Sequence, residues 1–209
     1  MKFFDLFCGA GGLSYGLYRA GFTSAGGLDK FDPAADTYEA ALGARVVRAD
    51  AFRLSPSELV KTVDSADLVA GCPPCQGFSQ LRTSRFGYED IRNDLVLYYA
   101  EVVRIARPKA LVFENVPRVA KDRRFLYLLK VLEDGGYSYA YSILNAADYG
   151  VPQIRRRLVL IAVRNGAKVE LPEPDHGSPD SEQVRKGVLK PWRTVRDAIG
   201  DLPPVEDGE

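Results

Sequence analysis

The sequence predicts an α/β protein: a mostly parallel sheet, helices on both of its faces, and an antiparallel hairpin at one edge. Three observations lead there. Short apolar runs alternate with segments whose apolar residues recur at helical spacing. Aspartate, serine and proline open several of those helical segments, and glycine or proline closes them. The last two apolar runs are joined by a shorter link, which suits an antiparallel pair better than a crossover.

Each element can be justified in order. "KFFDLF" reads as the first strand. "GLSYGLYRAGF" follows as a helix, with Leu13, Leu17 and Ala20 on one face and Gly21 near its end. "TSAGGLD" is the second strand. "DPAADTYEAAL" is a helix with Asp32 as its expected N-cap, Pro33 at its first position and Gly43 at its close. "ARVVRAD" is the third strand, "SPSELVKTV" a helix opened by Ser55 and Pro56, and "ADLVAG" the fourth strand. An irregular stretch covers residues 72–93. "DLVLYYAEVVRIARP" is a long helix stopped by Pro108, "KALVFENV" the fifth strand, and "RFLYLLKVLEDGG" a helix closed by Gly135 and Gly136. "YSYAYSILNAADYG" and "RLVLIAVR" make the final strand pair. Regular alternation of this kind gives a parallel sheet between two helical layers. The texture changes after Asn165, so residues 1–165 are expected as one domain. Residues 166–209 are expected as a surface loop with one short helix, "TVRDAIGDLPP", capped by Thr194.

Composition bounds the class. A chain of 209 residues can bury a sizeable core. Hydrophobic residues at 46% and charged residues at 27% are ordinary for a globular protein. No apolar stretch approaches the ~20 residues of a membrane span, and "MKFFDLFCGAGG" reads as a buried strand rather than a signal peptide. Lys plus Arg equals Asp plus Glu at 28 each, so total charge argues neither for nor against nucleic acid. Arginines do cluster, in "LRTSRFGYEDIR", "KDRR" and "QIRRR", although any one cluster is most simply a solvated face. Three cysteines without a secretion signal point to a reducing, cytoplasmic setting. Three cysteines and one distant histidine, His176, do not make a zinc site, so no metal is expected.

Chemistry concentrates at the strand ends. Gly9, Gly11 and Gly12 lie between the first strand and the first helix, where backbone can approach a ligand closely. The second strand ends at Asp29, placed to hold ribose hydroxyls. The third ends at Asp50, placed to accept from an adenine amino group. Each acid alone reads as a helix cap; together with the glycine loop they read as an adenosine pocket. The fourth strand runs into "GCPPCQGFSQ". Its CxxC spacing alone permits a redox pair, half a metal site or a nucleophile. With an ordinary thiol pKa only about 3% would be thiolate at pH 7, so a nucleophile there needs electropositive help. The fifth strand ends in "ENV", which should bring Glu114 beside Cys75. A carboxyl there can act as an acid, or donate to a ring nitrogen if its pKa is raised; the bland reading is a helix-capping carboxylate. Arg155 and Arg157, two apart in an extended segment, should share a side.

Taken in this order, the motifs resemble the cytosine-C5 DNA methyltransferase family. "DLFCGAGG" is similar to its first motif. Asp29 and Asp50 fall at the second and third, "GCPPCQGFSQ" resembles its Pro-Cys-Gln motif, and "ENV" and "QIRRR" match the next two. "RNDL" sits where the family's mobile loop rejoins the fold. The resemblance spans nearly the whole chain. It implies a Rossmann-like S-adenosylmethionine-dependent methyltransferase fold and a restriction-modification type of enzyme. Its catalytic nucleophile would be Cys75, and the CxxC spacing would be incidental, because Cys72 stands where the family usually has a small residue. By the same resemblance Cys75 adds to cytosine C6, Glu114 holds N3 and the amino group, Arg157 contacts O2 and Arg155 supports it. C5 takes the methyl group from S-adenosylmethionine, leaving S-adenosylhomocysteine, after the base has been flipped out at a cost of roughly a few kcal/mol. Cofactor contacts would come from Phe7, Ala10, Gly12, Asp29, Asp50, Ala51, Pro74 and Leu95. Gln76, Ser79, Arg82, Arg85 and Arg92 would belong to the loop closing on DNA.

Members of that family continue into a target-recognition domain and two further motifs. A split enzyme with that half on a second chain, a truncated gene and a domain cut from a longer protein all fit. The expected partners are therefore double-stranded DNA and such a second chain, and the surface it would cover is expected to include Leu13 and Leu17. Transfer RNA is an alternative substrate, and a non-catalytic S-adenosylmethionine-binding module is an alternative role. A thiol–disulfide oxidoreductase using Cys72 and Cys75 would leave Asp29, Asp50, "ENV" and "QIRRR" unexplained.

Overall fold

The structure is a computed structural model and describes residues 1–63, 65–74 and 91–203. Strands β1 (Lys2–Leu6), β2 (Thr23–Asp29), β3 (Val46–Arg48), β4 (Leu68–Gly71) and β5 (Ala110–Asn115) pair in parallel. Strand β7 (Arg156–Arg164) runs antiparallel to β5, and β6 (Tyr137–Asn145) lies outside it, giving the order β3-β2-β1-β4-β5-β7-β6. The final strand pair thus occupies the expected edge, with the later strand innermost.

Alternation along β1 shows why the sheet is covered on both faces. Phe4 and Leu6 join a core built with α3 (Pro56–Val63), α4 (Leu95–Ala106) and α5 (Arg123–Asp134). Phe3 joins a second core with Leu13 and Leu17 of α1 (Gly12–Arg19). Near α1, helix α2 (Asp32–Leu42) sets Ala35 and Tyr38 against Cys8 and Val46. Such continuous burial of strand residues is what a parallel sheet between two layers requires.

Two details differ from expectation, at Leu13 and Leu17 and at Asp32, while α4 stops before Pro108 as expected. Leu13 and Leu17 are half-buried against Phe3, Leu68 and Ala70 instead of exposed. Their four-residue spacing turns both to the sheet, which leaves Tyr15 and Tyr18 outside, 48% and 52% exposed and stacked on one another. Asp32 is the first residue of α2 rather than its cap; Phe31 holds the cap position without a side-chain bond. Arg107, just before Pro108, ends α4 in the left-handed region at φ 46°.

The chain divides into two compact units: residues 1–142 with 158–171, and residues 143–157 with 172–209. The second unit carries more structure than a loop. The two-residue strands β8 (His176–Gly177) and β9 (Lys190–Pro191) pair in parallel, with the short helix α6 (Glu182–Arg185) between them in the chain and α7 (Val195–Ile199) after them. Asp148 accepts from the Trp192 indole at 2.8 Å, and Thr194 caps α7 in a reciprocal box with Asp197. No helix among the described residues is long and apolar enough to cross a membrane.

Candidate active site

The strand order reverses beside β1: the chain steps outward through β2 and β3, then resumes on the other side at β4. At such a switch point the carboxyl ends of the strands leave a crevice where ligands bind. A cavity of about 220 Å³ lies there, lined by Phe7, Leu28, Asp29, Lys30, Phe31, Ala49, Asp50, Ala51, Phe52, Pro74, Arg92 and Leu95.

Two copies of one local turn make its walls. Asp29 Oδ1 accepts from the Phe31 N–H at 2.9 Å, and Asp50 Oδ1 accepts from the Phe52 N–H at 3.1 Å. A short acidic side chain favours this bond to the backbone two residues on. Each turn leaves an aromatic ring at the cavity, Phe31 62% and Phe52 48% exposed. Large rings open to water around a concavity are a common mark of a binding surface.

The remaining oxygens set the electrostatics. Asp29 Oδ2 accepts from the Gly9 N–H at 2.8 Å, tying the first loop to the end of β2. Asp50 Oδ2 lies 3.2 Å from Lys30 Nζ. The Phe52 N–H, helped by the Lys30 ammonium, holds the Asp50 carboxyl below the usual carboxylate range, so it is an acceptor at neutral pH.

The first loop is tightly wound. Cys8 N–H donates to Leu28 O at 3.1 Å and Gly11 N–H donates to Cys8 O at 2.9 Å. Gly11 sits at φ 91°, with the Tyr38 ring 3.0 Å from where a Cβ would stand. Phe7 takes φ 63° without being glycine, a conformation costing on the order of 1 kcal/mol that clusters at ligand sites. Ala10 and Gly12 are exposed on this loop but do not line the cavity.

The other half of the site lies at the ends of β4 and β5. The last ladder pair is Gly71 with Phe113. Beyond it the half-buried Cys72 donates to Glu114 Oε2 at 2.7 Å, and Asn115 Nδ2 donates to Pro73 O at 3.0 Å. Cys75, Gln76, Ser79, Arg82 and Arg85 lie outside the described residues. Arg92, expected on the DNA-closing loop, lines the cavity. In the second unit Arg155 is exposed and precedes β7, its N–H donating to Asn145 Oδ1 at 3.0 Å; Arg157 is half-buried and donates to Arg156 O at 2.8 Å. Among the described residues no three His, Cys, Asp or Glu side chains gather as a metal site would need.

Six residues expected at a cofactor therefore share one cavity: Phe7, Asp29, Asp50, Ala51, Pro74 and Leu95. Sequence reasoning missed Lys30, Phe31 and Phe52. The signal was present, since an aromatic residue stands two places after each acid, in "DKF" and "DAF". It also passed over Cys72.

Comparison with known proteins adds a family to this geometry. A sequence model of the family described as C-5 cytosine-specific DNA methylase matches residues 1–206. The chain is 35% identical to the Type II methyltransferase M.AquIA of Picosynechococcus, over 98% of this chain and 90% of that one. It is 40% identical to the Type II methyltransferase M.XorII of Xanthomonas oryzae, over 97% of this chain but only 46% of that one. A crystal structure of a prophage-encoded E. coli protein, described as a DNA modification methyltransferase, superposes with a TM-score of 0.75 at 27% identity, covering 99% of this chain and 56% of that one. The chain thus spans nearly all of one relative and about half of the others.

Proposed function

Because the chain belongs to the C-5 cytosine-specific DNA methylase family, we propose that it methylates C5 of a flipped-out cytosine in duplex DNA through a covalent adduct with Cys75. Membership supports action on cytosine in DNA with S-adenosylmethionine as methyl donor, and favours neither the transfer-RNA substrate nor the purely binding module. The observation that carries the reading is the cavity at the switch point, with its paired acid-and-aromatic turns, next to a strand end that offers Glu114.

The cavity's residues fit the cofactor. Asp29 has lone pairs left on both oxygens after taking two backbone N–H groups, enough to accept ribose hydroxyls. Asp50 is ionised and can accept from an exocyclic amino group. Phe7, Phe31 and Phe52 offer apolar faces to a purine. Ala51, Pro74 and Leu95 complete the lining, with Ala10 and Gly12 offering loop backbone nearby. Bound S-adenosylmethionine supplies an electrophilic methyl group.

Cytosine C5 is a weak nucleophile, and the chain's residues correct that. The Cys75 thiolate adds to C6, which makes C5 enamine-like. Glu114 engages N3 and the amino group. Arg157 meets the charge that develops on O2, with Arg155 in support. Loss of the C5 proton and elimination of Cys75 free the product. Flipping exposes both faces of the ring to these groups, with Gln76, Ser79, Arg82 and Arg92 on the DNA side. We assign target discrimination to a second chain.

The test is covalent capture. Duplex DNA carrying 5-fluorocytosine in many sequence contexts is mixed with the chain and S-adenosylmethionine, and intact mass is read. Fluorine blocks the final elimination, so an adduct mapping to Cys75, absent from Cys75→Ser, is the expected result. No adduct at any residue, with or without extracts supplying a second chain, would defeat the covalent reading.

A further inference from the structure

The strand that carries Glu114 has differently charged ends. Just before β5, Lys109 is neutralised by Asp67 at 2.6 Å. Just after it comes a 3-10 helix, Pro117–Lys121, opened by its proline and closed by the Asp122 N–H donating to Val119 O at 2.9 Å. Val119 is fully buried and Ala120 packs against the same core, which pins the helix. Residues three apart stand above one another in such a helix, so Arg118 and Lys121 share a side, and both are exposed. Neither has a hydrogen-bond or ion-pair partner among the described residues. The acid next in the chain, Asp122, is engaged by Arg124 at 3.3 Å, and Asp94 is engaged by the same guanidinium at 2.6 Å.

Like charges at neighbouring positions of a helix cost a little stability, so the pair does nothing for the fold. The chain as a whole has no net charge, which makes this excess local. It stands at the carboxyl end of β5, and the parallel neighbour β4 ends at the same edge, with Pro74 in the cavity wall. Arg118 follows Glu114 by four residues, so their Cα atoms are within about 14 Å of one another. A cytosine flipped towards Glu114 brings its own sugar-phosphate backbone to that edge. We propose that Arg118 and Lys121 are phosphate contacts for the DNA strand that carries the flipped cytosine. They fix where its backbone lies and read no base. The proposal rests on the methyl-transfer reading.

The test is salt dependence, measured on the full chain with fluorescent duplexes of unrelated sequence. Each phosphate contact contributes about 0.9 to the slope of log affinity against log salt. Arg118→Ala and Lys121→Ala should each lower that slope by about 1, and the double variant by about 2. The advantage of wild type over each single variant should then shrink about threefold between about 50 and 200 mM salt. The loss should be the same on every sequence, with thermal midpoint and S-adenosylmethionine affinity unchanged. Lys121→Arg should keep the slope. Lys61→Ala removes an equal charge, exposed in the last turn of α3 on the way to the start of β4, and should leave the slope unchanged. A double variant with the slope of wild type and intact 5-fluorocytosine capture at Cys75 overturns the phosphate contacts alone. So does a slope that falls as far for Lys61→Ala. Wild type that neither binds duplex in a salt-dependent way nor forms an adduct overturns the reading beneath them.

Discussion

The two halves of the proposed site, one for the cofactor and one for the base, are built by different means. The cofactor half is local. Each acid takes the N–H two residues ahead, at Asp29 and at Asp50, and each turn delivers its own aromatic ring. The base half is assembled across the sheet. Its bonds, Cys72 to Glu114 and Asn115 to Pro73, each join residues 42 apart in sequence. A local wall keeps its shape wherever its own few residues are ordered. A cross-sheet constellation depends on the register of two strands and on whatever packs beneath them.

That difference predicts where damage spreads, and Gly71→Ala is the most severe case. A Cβ there would stand 2.6 Å from Tyr99 Cε2 and 3.2 Å from Leu6 O. Tyr99 has no room to retreat: it is fully buried, and its hydroxyl bonds Val69 O at 3.1 Å and Val112 O at 3.2 Å. Denaturant unfolding should show a loss of about 3 kcal/mol, with capture failing along with stability. A loss below about 1 kcal/mol, within the range of tolerated core substitutions, would mean that the base half is as adaptable as a surface turn.

Below the cofactor half sits a buried acid whose effect depends on pH. Asp5 is 1% exposed. Its Oδ2 accepts from Ser14 Oγ at 2.5 Å, while its Oδ1 lacks a hydrogen-bond partner. Burial pushes its pKa from 3.8 to about 7. Between those values the folded state holds a proton that the unfolded state has released. Stability contributed by the protonated form is therefore complete below about pH 4 and lost as pH rises through about 7. Wild type should lose about 2–3 kcal/mol between pH 5 and pH 8 relative to Asp5→Asn, which stays neutral. Parallel stability curves for the two proteins would show that Asp5 does not titrate in this way. If the decline appears while S-adenosylmethionine affinity stays level across it, the cofactor half is insulated from the core below.

Asp29→Ala probes the local half directly. It releases the Gly9 and Phe31 N–H groups, which water can reach, so the fold should hold. Affinity for S-adenosylmethionine measured by calorimetry should fall about 10- to 100-fold, as for lost hydrogen bonds to a charged acceptor. Unchanged affinity would remove Asp29 from the cofactor half.

The same contrast explains what could be read in advance. Parallel strands with short turns leave strong punctuation, so the glycine loop, Asp29, Asp50 and the end of β5 are legible as a candidate site, and the structure brings Asp29 and Asp50 to one cavity. Leu13 and Leu17 misled because an apolar helix face was assigned to an absent partner when β1 and β4 of the same sheet already cover it. Cys72 could not be weighed from sequence, because its meaning lies in Glu114, which reaches it only through strand pairing. Phe31 and Phe52 were one step short of legible. The acids were noticed, and the local bond that turns each following ring into the pocket was not.

The smallest expected effect draws the boundary of the cofactor half. Lys30 lies 3.2 Å from Asp50, but its side chain is 63% exposed against 33% for the acid. An ion pair so open to solvent contributes about 0–1 kcal/mol and is screened by salt. The Phe52 N–H is the larger influence on Asp50, and Lys30→Ala leaves it untouched. Stability should therefore move by less than about 0.5 kcal/mol, and affinity for S-adenosylmethionine by less than about threefold, more at low salt than at high. A drop as large as that of Asp29→Ala would show that the ammonium, and not the turn, holds Asp50 in place. The wall would then depend on a flexible side chain, and the contrast between a locally built half and a cross-sheet half would fail at the residue on which it leans most.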